Sequence, residues 1–374
     1  MSERTKPPFR ADQVGSLLRP AALIAARGRH EKGEITDQEL WDIETDAILE
    51  VVKLQEEVGL KGVTDGDFRR GHWWNDFVLA IDGIEIQGGL EVHFKKTEGE
   101  EIAHAPHRAV VTKRLHRSGG ITTKAFKFLA ETTRETPKVC IPSPSIVHFR
   151  SGREGIDKQA YPDMDDFFTD LARIWREEIA DLAAIGCRYV QLDEVNLAFL
   201  CDPKLRDAVV RLGEDPDKLP QTYAKLLNDT IKDRPDDMVV CLHLCRGNHR
   251  SNWVADGGYE PIAETLFNEI DVDGYFLEYD TPRAGDFSPL RFVPKNKMVV
   301  LGLVSSKKGA LENKDDLKRR IEEASQFISL EQLALSPQCG FASGERGNKL
   351  SIEEEQRKLE LVVEVAREVW GHGE

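Results

Sequence analysis

Four side chains in the C-terminal part of the 374-residue chain, His243, Cys245, Glu278 and Cys339, are of types that bind zinc. In His243-Leu244-Cys245 the imidazole and the thiol stand two residues apart. On extended backbone both point to the same side and can reach one ion. Zinc favours imidazole nitrogen and thiolate sulfur in a tetrahedral array, and a carboxylate from Glu278 with a second thiolate from Cys339 would complete it. The competing reading is that these residues pack and hydrogen-bond under loops without a metal. Three acids, Asp67, Asp193 and Glu194, admit two readings as well: partners of nearby Arg or Lys, or a trap for a substrate ammonium group, since facing carboxylates need a cation to offset their repulsion. Trp73 and Trp74 suit either rim packing or a platform for a flat ligand.

The elements that must position these groups alternate short β-branched runs with long amphipathic segments. Helices are expected from Thr36, where T-D-Q-E is a capping box, to Gly59; from Asp163 to Gly186; over Asp315–Ile328; and from the capping box S-I-E-E at Ser351 onward. Strands are expected at Gln13–Ser16, Gly62–Asp65, Lys138–Pro142, Tyr189–Leu192, Met238–Leu242, Gly274–Leu277, Met298–Leu303 and Gln332–Leu335. Near-continuous apolar strands separated by helices mark a parallel sheet buried on both faces. About eight of them point to a closed (β/α)8 TIM barrel in a single α/β domain over 1–374. No G-x-G-x-x-G follows the first strand, which weighs against a dinucleotide-binding fold. Residues 84–123 break the alternation and read as a β-rich insertion between the second and third barrel strands. It would either cover the barrel mouth or decorate the surface.

In such barrels the chemistry gathers at the C-terminal strand ends. The expected strands are followed in turn by Gly15 and Ser16 with Arg19; Asp65-Gly66-Asp67 with Trp73 and Trp74; Ser143 and Ser145 with His148; Asp193 and Glu194; His243 and Cys245; Glu278; Ser305, Ser306 and Lys307; and Cys339. Polar or metal-capable groups at every strand end imply that one rim is a site.

Composition narrows the class. A net charge of −15 argues against a nucleic-acid surface. Short basic clusters (Lys113, Arg114, His116, Arg117; Arg246, His249, Arg250) read as solvated faces. No apolar run approaches a membrane span and MSERTKPPFR lacks a secretory apolar core, so a cytoplasmic protein without a membrane partner is expected. Six cysteines are too few for a disulfide scaffold.

At VGSLLRP (Val14–Pro20), TDGDFRRGHWWNDF (Thr64–Phe77), QLDEVNLAF (Gln191–Phe199), CLHLCRGN (Cys241–Asn248), FLEYD (Phe276–Asp280) and LSPQCGF (Leu335–Phe341) the sequence resembles the catalytic domain of cobalamin-independent methionine synthase, and more closely its short single-domain relatives. The resemblance implies a barrel shared with uroporphyrinogen decarboxylase, zinc ligands at His243, Cys245, Glu278 and Cys339, and homocysteine held through its carboxylate by Gly15 and Ser16 and through its amine by Asp67 and Asp193. It further implies methyl transfer from a small donor, a methylfolate or a methyl-corrinoid, to the homocysteine thiol, giving methionine.

Departures from the family pattern are also legible. Asp67 stands where the family usually has glutamate. There is no room for the second barrel of full-length synthases. The stretch LGLVSSKKGALE (Leu301–Glu312) lacks the family's acid-catalytic histidine, leaving Lys307 or His148 as candidate replacements. Alternatives are alkyl transfer to another thiol, as in epoxide opening by a thiol cofactor; a metal-free decarboxylase on the same barrel; and a non-catalytic zinc-binding protein. Whether the chain forms an oligomer stays open.

Overall fold

In a computed structural model, residues 4–88, 92–94, 102–104 and 107–371 are described. Six parallel strands form one sheet in the spatial order Leu333–Pro337, Met298–Val304, Gly274–Glu278, Val239–Leu244, Tyr189–Asp193, Val139–Pro142. Two more extended segments close the ring. Residues 10–12 join the last strand through Asp12 N to Leu335 O (3.0 Å) and Leu335 N to Arg10 O (2.9 Å). Gly62–Val63 pairs in parallel with Thr136–Pro137, which leads directly into Val139–Pro142. Between the first two segments the contact is made largely by side chains. Thr64 Oγ1 donates to Gly15 O at 2.7 Å and Gln55 Nε2 to Thr64 O at 2.8 Å. The fold is the TIM-type barrel.

The packing follows the sequence pattern. The long helices Asp37–Val58, Met164–Ala184, Lys314–Ser325 and Ile352–Trp370 lay their apolar stripes on the outside of the strands. Both expected capping boxes form, at Thr36/Glu39 and Ser351/Glu354. Gly59 ends the first of these helices with φ 98°, a left-handed turn that glycine adopts without a Cβ clash. Inside the barrel a smaller cluster, Phe9, Val14, Tyr189, Cys241, Phe276, Met298, Val300 and Ala334, fills the space between strands. A buried ion pair sits among them: Lys138 Nζ lies 3.0 Å from Asp12 Oδ1, and Tyr189 donates its hydroxyl to Asp12 Oδ2 at 2.8 Å.

Between the second and third barrel strands, Ile81–Gly88 pairs antiparallel with His107–Arg117, and Val92–Phe94 with Ile102–His104. Pairing starts at Ile81, three residues before the expected 84, and the helix Thr123–Thr132 follows. Parts of the expected insertion, Gly89 and Gly99 among them, lie outside the described residues. The long hairpin leans on the segment after the third strand, where Ser151 Oγ donates to Ala109 O at 2.5 Å. Among the described residues no helix is long and apolar enough to cross a membrane.

The final helix also anchors the first strand end. Glu355 is fully buried, accepts from Leu18 N at 2.9 Å through Oε2, and has no partner for Oε1 among the described residues. Burial, only partly offset by that single bond, pushes its carboxyl up to about 8 from an ordinary 4.5. The folded state then holds a proton that the unfolded chain releases. Stability should fall as pH rises from about 4.5 to about 8, by an amount on the order of a few kcal/mol. Glu355→Gln keeps the acceptor and cannot ionise, so the wild type minus variant difference in melting temperature should grow more negative across that window. A difference flat in pH would contradict the assignment.

Candidate metal centre and substrate cavity

His243 is the fifth residue of Val239–Leu244 and lies in register with Asp193 on one neighbouring strand and Phe276 on the other. Cys245 follows that strand directly, and Cys339 stands two residues beyond Leu333–Pro337. The ring closes these positions onto one another: the ligand atoms of His243, Cys245 and Cys339 all fall within 4.8 Å, and all three residues are buried. Among the described residues neither ring nitrogen of His243 has a hydrogen-bond partner. Leaving two buried imidazole nitrogens unused is costly unless something occupies them. Two sulfurs and a nitrogen converging in this way could hold a metal ion.

The trio is polarised. The Cys245 thiol shares its proton with Cys339, and this hydrogen bond, helped by His243, holds Cys339 well below the ordinary thiol range. The same bond, with burial, drives Cys245 well above it. Burial works to lower His243, yet Cys339, Asp193 and Glu278 together raise it. The shifts run in opposite directions on neighbouring groups: the Cys339 thiol is made easier to ionise and the imidazole easier to protonate, and a metal ion bound here would displace protons from both.

Glu278, the fourth expected ligand, ends the strand Gly274–Glu278 and is fully buried, but it is not in the 4.8 Å group. Its carboxylate accepts from Arg246 N at 2.7 Å and forms an ion pair with Arg283. Against the cost of burial, Lys307, Arg283 and Arg246 hold it down at about 2, so it stays ionised next to the cluster. Arg246 is no solvated charge, contrary to expectation. It is fully buried, donates to Glu278 O (2.9 Å), Tyr259 Oη (2.9 Å) and Gly257 O, and so fixes the loop that carries Cys245. Lys307 is buried too, with no hydrogen-bond partner for Nζ among the described residues. Its charge acts on Glu278, Cys245 and Cys339.

The trio opens into a cavity of about 660 Å3, within the ~300–1,000 Å3 range that accommodates a whole small-molecule ligand. Ser16, Asp67, Asp193, Trp73 and Trp74 all line it. Asp193 accepts from Gln191 Nε2 at 2.7 Å, and burial pushes its carboxyl up to about 7. Asp67 is already matched: it forms an ion pair with Arg70, at a left-handed φ of 61°. Glu194 is no ammonium trap, since its oxygens accept from Ser143, Ser145, Asn196 N and Leu197 N.

Four expected site residues do not reach the cavity wall: Glu278 and Lys307, buried as described, and Gly15 and His148. Gly15 has its N–H committed to Gln13 Oε1 at 2.5 Å. Its φ of 123° and a Cβ position only 2.5 Å from Cys140 Sγ make it a required bend, one that presents Ser16. His148 is turned away, with Nδ1 3.0 Å from Tyr223 Oη and Nε2 3.3 Å from Glu214. As residues of a short helix, Ile146–Phe149, it and its neighbours diverge by about 100° each, so Phe149 lines the cavity and His148 faces the outer layer.

Arg19, noted in sequence only as a strand-end residue, ties three of the loops together. Its guanidinium donates to Asp67 O and Arg70 O (both 2.7 Å), Ala342 O (3.4 Å) and Gly344 O (3.3 Å). Burial pulls it down to about 10 against the opposing pull of the Asp67 charge, so it remains charged. The signal was its place in VGSLLRP, but nothing local in sequence reveals four distant carbonyls.

Comparison with known proteins places this arrangement. The family model described as the cobalamin-independent synthase catalytic domain matches residues 9–368. The uncharacterized protein YxjH of Bacillus subtilis is 44% identical over 373 residues, covering 98% of this chain and 96% of the relative. A methionine synthase of Pyrococcus furiosus is 25% identical over 96% of this chain and 94% of its own length. The crystal structure of a Listeria monocytogenes protein, described as a candidate vitamin-B12-independent methionine synthase, superposes with a TM-score of 0.77 at 36% identity, covering 99% of this chain and 100% of that one. A Shewanella B12-independent methionine synthase, solved with selenomethionine, shares the fold at a TM-score of 0.71 and 18% identity. The strand-end cluster, the barrel and these matches agree, and the chain belongs to the cobalamin-independent methionine synthase catalytic-domain family.

Proposed function

We propose that this protein is a zinc-dependent thiol S-methyltransferase that moves a methyl group to homocysteine. The observation that carries the reading is the buried His243, Cys245 and Cys339 cluster opening into the same cavity as Ser16 and Asp193. These three side chains would hold the ion, with Glu278 as the nearby anionic fourth candidate. When bound, zinc supplies Lewis acidity that favours a thiolate over a thiol at neutral pH.

The protein's own groups do the rest. Asp193, not matched by a salt bridge as Asp67 is, takes the substrate ammonium; that added cation lowers its carboxyl from about 7 and fixes it as an anion. Ser16 offers its hydroxyl to the carboxylate. Burial of the cluster excludes water that would compete for the electrophilic carbon. Held at two points, the substrate sulfur is aimed at the donor, so bimolecular displacement becomes a positioned reaction. Lys307 is the cation behind the cluster, and His148 makes no contact with the cavity.

The test is turnover with homocysteine and a panel of methylated donors, with mercaptoethanesulfonate as the thiol that lacks an amine. Homocysteine should be methylated and the sulfonate should not. Asp193→Asn should raise KM for homocysteine roughly 10- to 100-fold, the loss of a charge-assisted contact, with zinc content unchanged. Preference for the sulfonate, or an unaltered KM in Asp193→Asn, would overturn the assignment in favour of a different thiol.

A further inference from the structure

A second cavity, of about 260 Å3, shares no wall residue with the substrate cavity, yet one ion pair spans the partition between them. Asp67 lines the substrate cavity and its partner Arg70 lines the second one. The Arg70 side chain is 15% exposed and lightly held. Beyond the pair with Asp67, its one hydrogen bond among the described residues runs from Nη1 to Trp73 O at 3.3 Å. Asp67 is fixed on both sides of its backbone: its N–H donates to Asp65 Oδ1 at 3.0 Å, and its carbonyl accepts from Arg19 at 2.7 Å. The acid is anchored, and the guanidinium is the partner with room to move.

The second cavity offers that guanidinium another anion. Asp65 stands on its wall and forms no ion pair among the described residues. The other cations there are already matched: Arg69 pairs with Glu44 at 3.2 Å, Lys138 with Asp12, and Lys124 Nζ lies 3.5 Å from the Trp41 ring centroid. The other acid on the wall, Asp76, accepts from His72 N at 2.8 Å. Gly66 and Asp67 both take left-handed backbone, φ 67° and 61°. That breaks the alternation which would set Asp65 and Asp67 on one side of an extended chain, and the two acids face different cavities. Of the charges acting on Arg70, that of Asp67 is the strongest and that of Asp65 the next.

We infer that Arg70 is a positioning residue that exchanges partners: it pairs with Asp67 while the substrate cavity is empty, and withdraws to Asp65 in the second cavity when a substrate ammonium arrives beside Asp193. The inference rests on the thiol-transfer reading, with an amino-acid thiol as substrate. Asp67 and Asp193 feel each other's charge, so a cation placed on Asp193 also approaches the Asp67–Arg70 pair and repels the guanidinium. With Asp65 as the receiving anion, the arriving ammonium gains a second carboxylate and Arg70 is not left as an unpaired buried charge. A thiol without an amine gives Arg70 no cause to move and finds Asp67 already neutralised. The exchange therefore makes an ammonium group part of what the site selects.

The experiment is calorimetric titration of homocysteine, and separately of γ-mercaptobutyrate, the same thiol acid without the amine, into the zinc-loaded full chain. The variants are Asp65→Asn, which keeps the acceptor for Asp67 N–H and removes only the charge, Arg70→Met, and the two combined. Asp65→Asn should weaken homocysteine binding roughly tenfold, the loss of a charge-assisted pair, and leave γ-mercaptobutyrate binding unchanged. In the Arg70→Met background the same change should have no effect, because no guanidinium needs receiving. Equal losses for both thiols, no loss for either, or the same loss with and without Arg70 would each overturn the exchange. A crystal structure of the homocysteine complex tests it without the Arg70 variant: the guanidinium should lie against Asp65, and finding it still on Asp67 overturns the inference. No homocysteine binding by the wild type would bring down the thiol reading and this inference with it, whereas binding without the Asp65 effect defeats the inference alone.

Discussion

Cys339→Ala is expected to lose bound zinc and alkyl transfer together while remaining folded. Cys339 sits in a loop after the last strand, and its sulfur is the most readily ionised of the trio. Without it, His243 and Cys245 remain as two donors, and Cys245 loses the partner that shares its proton. Removing a group that only orients a ligand costs roughly 10- to 100-fold in metal affinity, and removing a ligand itself should cost more. After dialysis against a chelator of moderate strength, wild type should keep about one zinc per chain and Cys339→Ala essentially none. Cys187→Ala is the control. Cys187 is buried, its thiol faces Tyr189 O at 3.6 Å, and it lies outside the cluster, so metal and activity should persist. Full turnover by metal-free Cys339→Ala would end the proposal. The reading as a zinc-binding protein without catalysis makes a different forecast: zinc lost with Cys339, and no turnover by wild type with any donor.

Asp12→Ala should be the most damaging single change to the fold. Asp12 and Lys138 are both fully buried inside the barrel and 3.0 Å apart, and Asp12 also receives the hydroxyl of Tyr189 and Phe9 N–H (3.1 Å). Lys138 continues to Gln13 O at 2.5 Å, so the pair joins the first segment of the ring to the third. Removing the carboxylate strands a buried ammonium, a loss of about 3–5 kcal/mol. The midpoint of urea unfolding, followed by tryptophan fluorescence and far-ultraviolet circular dichroism, should drop accordingly. The double variant Asp12→Ala/Lys138→Met should recover much of the loss, because no orphan charge remains. A wild-type midpoint for Asp12→Ala would show that water or other groups satisfy Lys138.

These two predictions mark different kinds of legibility. The cluster was readable because its members obey local rules. His243 and Cys245 share a face through the period of two in an extended strand, and each ligand follows an apolar run that only a buried parallel strand explains. Helix limits followed from capping chemistry at Thr36 and Ser351, which acts within four residues. Seven of the eight strand positions were legible for the same reason; the first, expected at Gln13–Ser16, pairs instead at residues 10–12, where the ladder is a single bridge, and residues 13–16 already form the strand-end loop.

What the tertiary structure alone decided is who faces whom. His148 and Phe149 are adjacent in sequence, and a single helical turn sends one outward and the other to the cavity. Gly15 was expected to bind substrate and instead makes the bend that presents Ser16. Asp67 and Asp193 look alike in sequence, yet one has Arg70 as its ion-pair partner and the other does not. Glu278 was expected as an equal ligand and is held by Arg283 and Arg246. The sequence by itself determined the barrel, its rim and the donor types gathered there, because periodicity, capping and strand-end placement are short-range. Charge pairing and direction depend on contacts between residues far apart in the chain, such as Asp12 with Lys138 or Arg19 with Gly344. Ring closure alone brings those together.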